Sequence, residues 1–255
     1  MRVLLPLFVG VATTLVALCT TITASHAEEK PKLLRDVKTI VTLGDSITQA
    51  GADPGGYVWR MQHYLDALYP NEIKIINSGI SGHKSTDMSS RFQRDVLDHK
   101  PDLVTISVGV NDVWHGFYEN HPEGDGPSGV AIDLYRQKVT GMVEAAQAQG
   151  IRVVILTATV IHEDLENKEN AKVRTYNQAL REIARSHKCE FVNLFGACEK
   201  AIRAYRSVGG NAENLLTSDG VHMNPAGNQL MAHVILRGLG ISEKSLDSVK
   251  SAVKR

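Results

Sequence analysis

A regular alternation of short apolar runs with longer amphipathic segments most constrains the fold of this chain. Five runs have the β-branched and aromatic content of buried strands: Thr39–Leu43, Ile73–Asn77, Leu103–Val108, Val153–Ala158 and Glu190–Leu194. Four segments carry apolar residues at helical spacing: Tyr57–Leu68, Leu134–Gln149, Ala171–His187 and Pro225–Leu239. Strands that alternate with helices in this way predict an α/β fold, with a parallel sheet covered by helices on both faces.

Single residues predict where some of these helices begin and end. Gly150 follows Leu134–Gln149 and indicates a C-cap, because glycine adopts the left-handed conformation there at little cost. Pro225 lies in the first turn of the last helix, where its missing N–H costs no hydrogen bond. The polar tail Ser242–Arg255 indicates a solvated helix or a frayed end.

The first 27 residues have the pattern of a secretory signal peptide. Arg2 supplies a positive charge, Val3–Cys19 is almost entirely apolar, and Ser25-His26-Ala27 is a suitable cleavage site. We therefore expect a secreted or periplasmic protein, with residues 28–255 forming one domain and no stable membrane insertion after cleavage. An uncleaved anchor stays open, since the apolar run is close to the length of a membrane span. A lipoprotein centred on Cys19 fits less well, because the bulky Leu18 precedes it.

The charge balance limits the possible partners, and the cysteine content leaves a disulfide open. The chain has 28 basic and 28 acidic residues, and this neutral balance argues against nucleic acid, which is bound through many contacts from Lys and Arg to phosphate. Cys189 and Cys198 remain after the leader. An oxidising compartment would allow them to pair, and two buried free thiols fit the sequence equally well. The oligomeric state is left open.

Four loops of unusual composition fall where a parallel sheet binds its ligands. Three follow the first three predicted strands, and the fourth precedes the last helix: GDS at 44–46, SGISGHKST at 78–86, GVNDVWHG at 109–116 and SDGVHMNPAG at 218–227. Ligands of open parallel sheets lie beyond the carboxyl ends of the strands. We therefore expect these four loops to meet at one edge of the sheet.

The residues in these loops have the chemistry of a serine nucleophile. A serine hydroxyl needs an adjacent base, and the base needs a partner that orients it. Asp219 and His222 are three residues apart, a spacing that lets the carboxylate hold one ring nitrogen while the other faces Ser46. Acyl chemistry also needs donors for the developing oxyanion, which a serine or glycine N–H and the Asn111 amide can supply.

The loops together resemble the GDSL, or SGNH, hydrolase superfamily over about residues 38–239. The four sequence blocks of that family match Gly44-Asp45-Ser46-Ile47, Asn77-Ser78-Gly79-Ile80-Ser81-Gly82, Gly109-Val110-Asn111-Asp112 and Asp219-Gly220-Val221-His222. The resemblance implies a three-layer α/β/α flavodoxin-like fold with a five-stranded parallel sheet. It also implies that Ser46 is the nucleophile, that His222 and Asp219 are base and orienter, that Gly82 and Asn111 bind the oxyanion, and that no cofactor is needed.

A narrower resemblance is to bacterial carbohydrate acetylesterases of the acetylxylan esterase type. It rests on the order and spacing of GDSIT, GGYV, YP and the stretch from Ile76 to Trp114. The resemblance implies a small-molecule or polysaccharide ester as substrate, with deacetylation as the reaction. Related blocks occur in lysophospholipases, thioesterases and arylesterases, which stay as alternatives. His115 replaces the basic residue expected after Trp114 in this subgroup and leaves the substrate open.

Three other interpretations fit the sequence less well. His162-Glu163-Asp164 resembles a metal cluster, but adjacent residues point in different directions, so we expect no metal. The segment 79–85 ends in Lys-Ser like a phosphate-binding loop, yet it lacks the glycine spacing of that motif. A non-catalytic carbohydrate-binding module would not need Ser46, Asn111 and His222 together.

Overall fold

The structure is a computed structural model that describes residues 29–253. The predicted signal peptide, residues 1–27, lies outside this range. Within the range, no helix combines the length and the hydropathy needed to cross a membrane.

Five parallel strands form one sheet, as the sequence predicts. The strands are β1 (Thr39–Gly44), β2 (Lys74–Gly79), β3 (Leu103–Ser107), β4 (Arg152–Leu156) and β5 (Glu190–Val192). Their order across the sheet is β2-β1-β3-β4-β5, and every neighbouring pair is parallel. The chain moves outward from β1 first to one edge and then, through β3, to the other. This reversal places the carboxyl ends of β1 and β3 beside each other at the point where ligands bind in such sheets.

Nine α-helices belong to the described part of the chain. They are α1 (Ser46–Ala50), α2 (Tyr57–Leu68), α3 (Ser85–Asp95), α4 (Val110–Trp114), α5 (Ile132–Ala148), α6 (Lys168–Ser186), α7 (Leu194–Ser207), α8 (Pro225–Gly238) and α9 (Glu243–Val253). Helix α5 packs against both α3 and α6, and in a second group α2 packs against α8 and α9 while α8 packs against α7. The two groups cover opposite faces of the sheet, which confirms the three-layer α/β/α fold.

The core forms where the strands are least polar and the helices have an apolar stripe. All five residues of β3 are buried. Helix α5 buries a stripe at helical spacing, made of Tyr135, Val139, Met142, Val143 and Ala146. The predicted helix ends are confirmed, since Gly150 has a φ of 74° just beyond α5 and Pro225 is the first residue of α8.

The carboxyl-terminal tail forms a helix that packs on the domain. Residues 243–253 form α9, which packs on α2 and buries Leu246 and Val253, so this helix is not solvated all round.

Cys189 and Cys198 are both free thiols in the structure, so the alternative of two unpaired cysteines applies. Burial raises the pKa of Cys198 to about 12 and that of Cys189 to about 11, so both remain protonated at neutral pH.

Candidate active site

Ser46 lies at the first position of α1, directly beyond the end of β1. Asp45 is the N-cap of α1, and its Oδ1 accepts a hydrogen bond of 3.0 Å from the N–H of Ile47. The turn between Gly44 and α1 is so tight that a Cβ at Gly44 would lie 1.9 Å from Oγ1 of Thr48. The composition of this stretch therefore builds a sharp break from strand to helix, which leaves Ser46 partly exposed at the sheet edge.

A chain of hydrogen bonds joins Ser46, His222 and Asp219. His222 Nε2 lies 2.9 Å from Ser46 Oγ, and His222 Nδ1 lies 2.7 Å from Asp219 Oδ2. With Asp219 ionised, the Nδ1–H donates to the carboxylate, and Nε2 is left as the acceptor for the serine proton. The three residues that the sequence selects are therefore in contact, in the order that general-base activation of a serine requires.

The turn that carries Asp219 and His222 is held together by the aspartate itself. Asp219 Oδ1 accepts hydrogen bonds from the N–H groups of Val221, at 3.0 Å, and His222, at 2.8 Å. Partial burial acts to raise the pKa of Asp219, but these bonds and the His222 imidazole outweigh it and lower the pKa to about 2. Asp219 is consequently ionised at neutral pH, as an orienting carboxylate must be.

Gly220 must be glycine for two reasons. Its φ is 93°, in the left-handed region, and a Cβ there would lie 2.3 Å from Nδ1 of His162. The N–H of His162 also donates to the carbonyl of Gly220 at 2.7 Å. The segment after β4 therefore packs closely on the turn between Asp219 and His222.

Gly82, in the loop after β2, lies near Asn111, in the first turn of α4. The Asn111 side chain is buried, and its Nδ2 donates to the carbonyl of His83, next to Gly82, at 3.1 Å. Gly82 has a φ of 76°, and a Cβ at this position would meet no atom within 4 Å, so backbone conformation rather than crowding favours glycine. The N–H of Ser81 donates to Gln49 Oε1, which docks this loop on α1. The structure thus brings Gly82 and Asn111 to the same sheet edge as Ser46.

The buried side chain of Arg91 binds the ends of β1 and β2 at this edge, and the sequence did not identify this residue. Its buried guanidinium donates to the carbonyls of Gly44 and Ser78, at 2.9 Å each, and to Asp95 Oδ2 at 2.8 Å. Its Nε donates to His83 Nδ1 at 3.0 Å. A guanidinium only donates, so this nitrogen of His83 accepts, and burial followed by the Arg91 charge lowers the pKa of His83. No sequence pattern in α3 distinguishes the buried Arg91 from a solvent-exposed arginine.

Two further carboxyl groups lie buried beneath the loops. Burial raises the pKa of Asp45 to about 6 against the opposing hydrogen bond from Ile47. Burial also raises the pKa of Asp112 to about 6, although its carboxylate accepts both the N–H and the hydroxyl of Ser85. Asp45 caps the start of α1, and Asp112 holds the first residue of α3.

A cluster of rings borders the Asp219–His222 turn. The Trp114 ring centroid lies 6.5 Å from that of His162, edge to face, and 5.7 Å from that of Tyr118. His115 stacks on Tyr118 with 4.9 Å between centroids. We call Trp114, His115, Tyr118 and His162 the ring wall. It begins three residues after Asn111 and ends against Gly220, so it lies beside the reactive groups.

The side chains of His162, Glu163 and Asp164 do not converge on one point. Glu163 is buried, whereas His162 and Asp164 are exposed on either side of it. Across residues 29–253, no group of three His, Cys, Asp or Glu side chains is placed to hold a metal ion.

Comparison with known proteins agrees with this geometry. Residues 42–230 match the model of the GDSL-like lipase/acylhydrolase family. The chain is 27% identical to an acetylxylan esterase of Geobacillus stearothermophilus over 218 residues, which cover 79% of this chain and 93% of the relative. It is 26% identical to the esterase TesA of Pseudomonas aeruginosa, over 72% of this chain and 79% of the relative.

Solved structures extend the comparison to the fold. The crystal structure of the acetyl xylan esterase AlAXEase superposes with a TM-score of 0.69 at 31% identity, covering 78% of this chain and 98% of that one. Structures of catalytic mutants of the Geobacillus enzyme carry alanine in place of a serine, an aspartate or a histidine, the last two being three residues apart. Asp219 and His222 have the same separation here.

Proposed function

Because this chain belongs to the GDSL-like lipase/acylhydrolase family, and is a carboxylic ester hydrolase, we propose that Ser46, His222 and Asp219 are its catalytic triad. We further propose that it removes acetyl groups from sugars or polysaccharides. The observation that carries the proposal is the unbroken chain of hydrogen bonds from Ser46 Oγ through His222 to Asp219. A serine that served only the turn would need neither partner.

The proposed reaction has two halves. Ser46 Oγ attacks the ester carbonyl carbon while His222 Nε2 takes the hydroxyl proton, and the same imidazole then protonates the departing alcohol oxygen. The acyl group is left on Ser46. Water next attacks this acyl-enzyme, giving one proton to His222, which returns it to Ser46 as the acid is released. Asp219 stays ionised throughout and stabilises the imidazolium.

The oxyanion formed in each half needs donors that are already in place. We assign this role to the backbone N–H groups of Ser46 and Gly82 and to the side chain of Asn111. The Ser46 N–H is at the start of a helix, where no intrahelical acceptor uses it. Asn111 is buried, and within residues 29–253 one of its two amide hydrogens is engaged, by the carbonyl of His83, so the second remains for the substrate.

The choice of acetylated sugars rests on the relatives and on the ring wall. The acetylxylan esterase of Geobacillus stearothermophilus aligns over nearly its whole length. Rings such as those of Trp114 and Tyr118 combine apolar faces with polar edges, which suits a sugar ring that presents both C–H and hydroxyl groups. The runner-up is a lysophospholipid or another long-chain acyl ester, which the same triad chemistry would hydrolyse.

Acyl-chain preference separates these substrates. We expect p-nitrophenyl acetate to be hydrolysed with a kcat/KM at least tenfold above that of the decanoate, and acetate to be released from acetylated xylan. A preference for the decanoate would contradict the sugar deacetylase and favour the lipid substrate. Binding to xylan without ester hydrolysis would contradict the enzyme itself.

We also propose that the protein acts outside the cytoplasm. The support is the leader-like sequence of residues 1–27. Amino-terminal sequencing of protein from a periplasmic or culture fraction tests this, and we expect the first residue to be Glu28. An intact Met1 in a membrane fraction would identify an uncleaved anchor instead.

A further inference from the structure

Glu163 is a buried carboxylate that binds the segment leading into Asp219. The residue is 3% exposed. Its Oε2 accepts the N–H of Leu215 at 2.7 Å, and its Oε1 accepts the N–H groups of Leu216, at 2.7 Å, and Thr217, at 2.9 Å. Oε1 also accepts the Thr217 hydroxyl at 2.9 Å. Four donors from three consecutive residues therefore converge on one side chain.

The carbonyls of the same segment are bound from the opposite direction. Asn224 Nδ2 donates to the carbonyls of Leu215, at 3.0 Å, and Thr217, at 3.1 Å, and the Asn224 N–H donates to that of Leu216 at 2.9 Å. Asn224 caps α8 through Oδ1. Glu163 thus satisfies the N–H side of the segment, and the start of α8 satisfies its carbonyl side.

Glu163 is itself held rigidly by its neighbours. Asn170 is fully buried in α6, and its Nδ2 donates to the carbonyls of Ile161, His162 and Asp164. Its Oδ1 accepts the N–H of Ile161 at 2.9 Å. The backbone on both sides of Glu163 is therefore tied to a helix of the core, so the carboxylate is presented from a fixed position.

The bound segment runs directly into the catalytic turn. Thr217 forms a bridge with Met223, and the Ser218 N–H donates to the carbonyl of His222 at 2.8 Å. Only one residue separates Thr217 from Asp219. A displacement of the 215–217 segment must consequently displace the imidazole and the carboxylate that hold Ser46.

We propose that Glu163 is a positioning residue, which fixes the Asp219–His222 turn against Ser46 without contacting the substrate. This inference rests on the triad proposed above. It assigns a purpose to an acidic residue that the sequence analysis weighed only as a metal ligand. The four donors explain why a carboxylate occupies this site, because the side of the segment that faces Glu163 offers only N–H and O–H groups and needs an acceptor with two free oxygens.

Glu163→Gln tests the carboxylate with minimal change in volume. The amide oxygen can keep the three donors on Oε1, but its NH2 then faces the N–H of Leu215, so two donors oppose each other. We expect kcat for p-nitrophenyl acetate to fall about tenfold to a hundredfold with KM changed less than twofold, as for a small misplacement of reacting groups. Glu166→Gln is the matched control, because Glu166 is exposed in the same loop and its carboxylate pairs with Arg203.

A spectroscopic measurement separates positioning from general loss of stability. The short bond between His222 Nδ1 and Asp219 should give a downfield imidazole N–H resonance in the proton NMR spectrum, which His222→Ala identifies. We expect Glu163→Gln to weaken or shift this resonance while circular dichroism stays native, and Glu166→Gln to leave it unchanged. Thr217→Val removes only the hydroxyl donor to Glu163, and we expect it to lower kcat about threefold. This variant still tests the positioning role if Glu163→Gln does not fold.

The outcomes distinguish this inference from the triad on which it rests. Full activity and an unchanged resonance in both Glu163→Gln and Thr217→Val, with Ser46→Ala inactive, would overturn the positioning role alone. A raised KM with unchanged kcat would also overturn it, since that result places Glu163 in substrate binding. Activity retained by Ser46→Ala would overturn the triad instead.

Discussion

His222 Nε2 lies 2.9 Å from Ser46 Oγ, although 176 residues separate the two in the chain. Helix α8, which begins just after His222, packs against α2. Asn228 in α8 accepts the N–H of Tyr57, the first residue of α2, at 2.8 Å. This hydrogen bond holds α2, which follows the Ser46 turn, beside α8, which follows His222.

Ser46→Ala should abolish ester hydrolysis while leaving the fold intact. The side chain is partly exposed, so its removal leaves no buried group unpaired. We expect kcat for p-nitrophenyl acetate to fall by about 10³ or more, since the residual rate comes only from the oxyanion donors and substrate binding. Ser90→Ala, at an exposed serine in α3, is the control and should keep full activity. Comparable rates in the two variants would exclude Ser46 as the nucleophile.

Asp219→Asn tests the orientation of the imidazole. The asparagine can still accept the N–H groups of Val221 and His222, but its amide would favour the wrong tautomer of the ring. By analogy with the same substitution in serine proteases, we expect kcat to fall by about 10³ to 10⁴. Asp53→Asn, at an exposed aspartate, is the control. A loss of less than tenfold would show that Asp219 does not orient His222.

Asn111→Ala tests the oxyanion role. Loss of one such donor lowers kcat by about 10² to 10³, and we expect that range with a smaller change in KM. The substitution also removes the bond to the carbonyl of His83, so thermal unfolding must be measured alongside. Asn211→Ala, at an exposed asparagine, should alter neither property. An unchanged kcat in a folded Asn111→Ala protein would exclude the assignment.

Trp114→Ala should separate sugar substrates from simple esters. Trp114 lies beside His115, Tyr118 and His162, at the end of the helix that carries Asn111. If the ring wall binds the sugar, KM for acetylated xylan rises about fivefold or more, while KM for p-nitrophenyl acetate changes little. Tyr205→Ala, in α7 and outside the ring wall, is the aromatic control. An equal effect of Trp114→Ala on both substrates would indicate that this residue shapes the acyl site.

The fold was predictable where local patterns and tertiary burial agree. Helix α2 has the predicted bounds Tyr57–Leu68, because its apolar stripe is complete in the sequence. Helix α3 was missed because Ser85–Asp95 is mostly polar and its packing rests on Met88 and Phe92, with Arg91 buried as well. The short helices α1 and α4 were missed because one turn gives no detectable period.

The site was predictable where its reactive residues lie in short sequence motifs. Ser46, Asp219 and His222 stand in loops whose position follows from the strand order, and the structure joins them. Arg91 and Glu163 were not recognised, since each acts on backbone groups that are distant in the sequence. A buried charge leaves no local signal when its partners are main-chain atoms.

Asp45→Asn should stabilise the protein at alkaline pH. Asp45 is 3% exposed, and burial raises its pKa from 3.8 to about 6. Between about pH 4 and pH 6 the folded state therefore binds a proton that the unfolded state has released, and stability falls as pH rises through this interval. An asparagine carries no charge and can still cap α1 through the N–H of Ile47.

The free energy of unfolding, measured in urea at several pH values, checks this sign. We expect Asp45→Asn to gain on the order of 2 to 3 kcal/mol over the wild type at pH 8, and less than about 1 kcal/mol at pH 4, where the carboxyl of the folded protein is protonated and its burial carries little penalty. Asp53→Asn should stay within about 0.5 kcal/mol of the wild type at both pH values. A gain that is the same at pH 4 and pH 8 would mean that the charge of Asp45 is not the cause, because only the ionised carboxyl is penalised by burial.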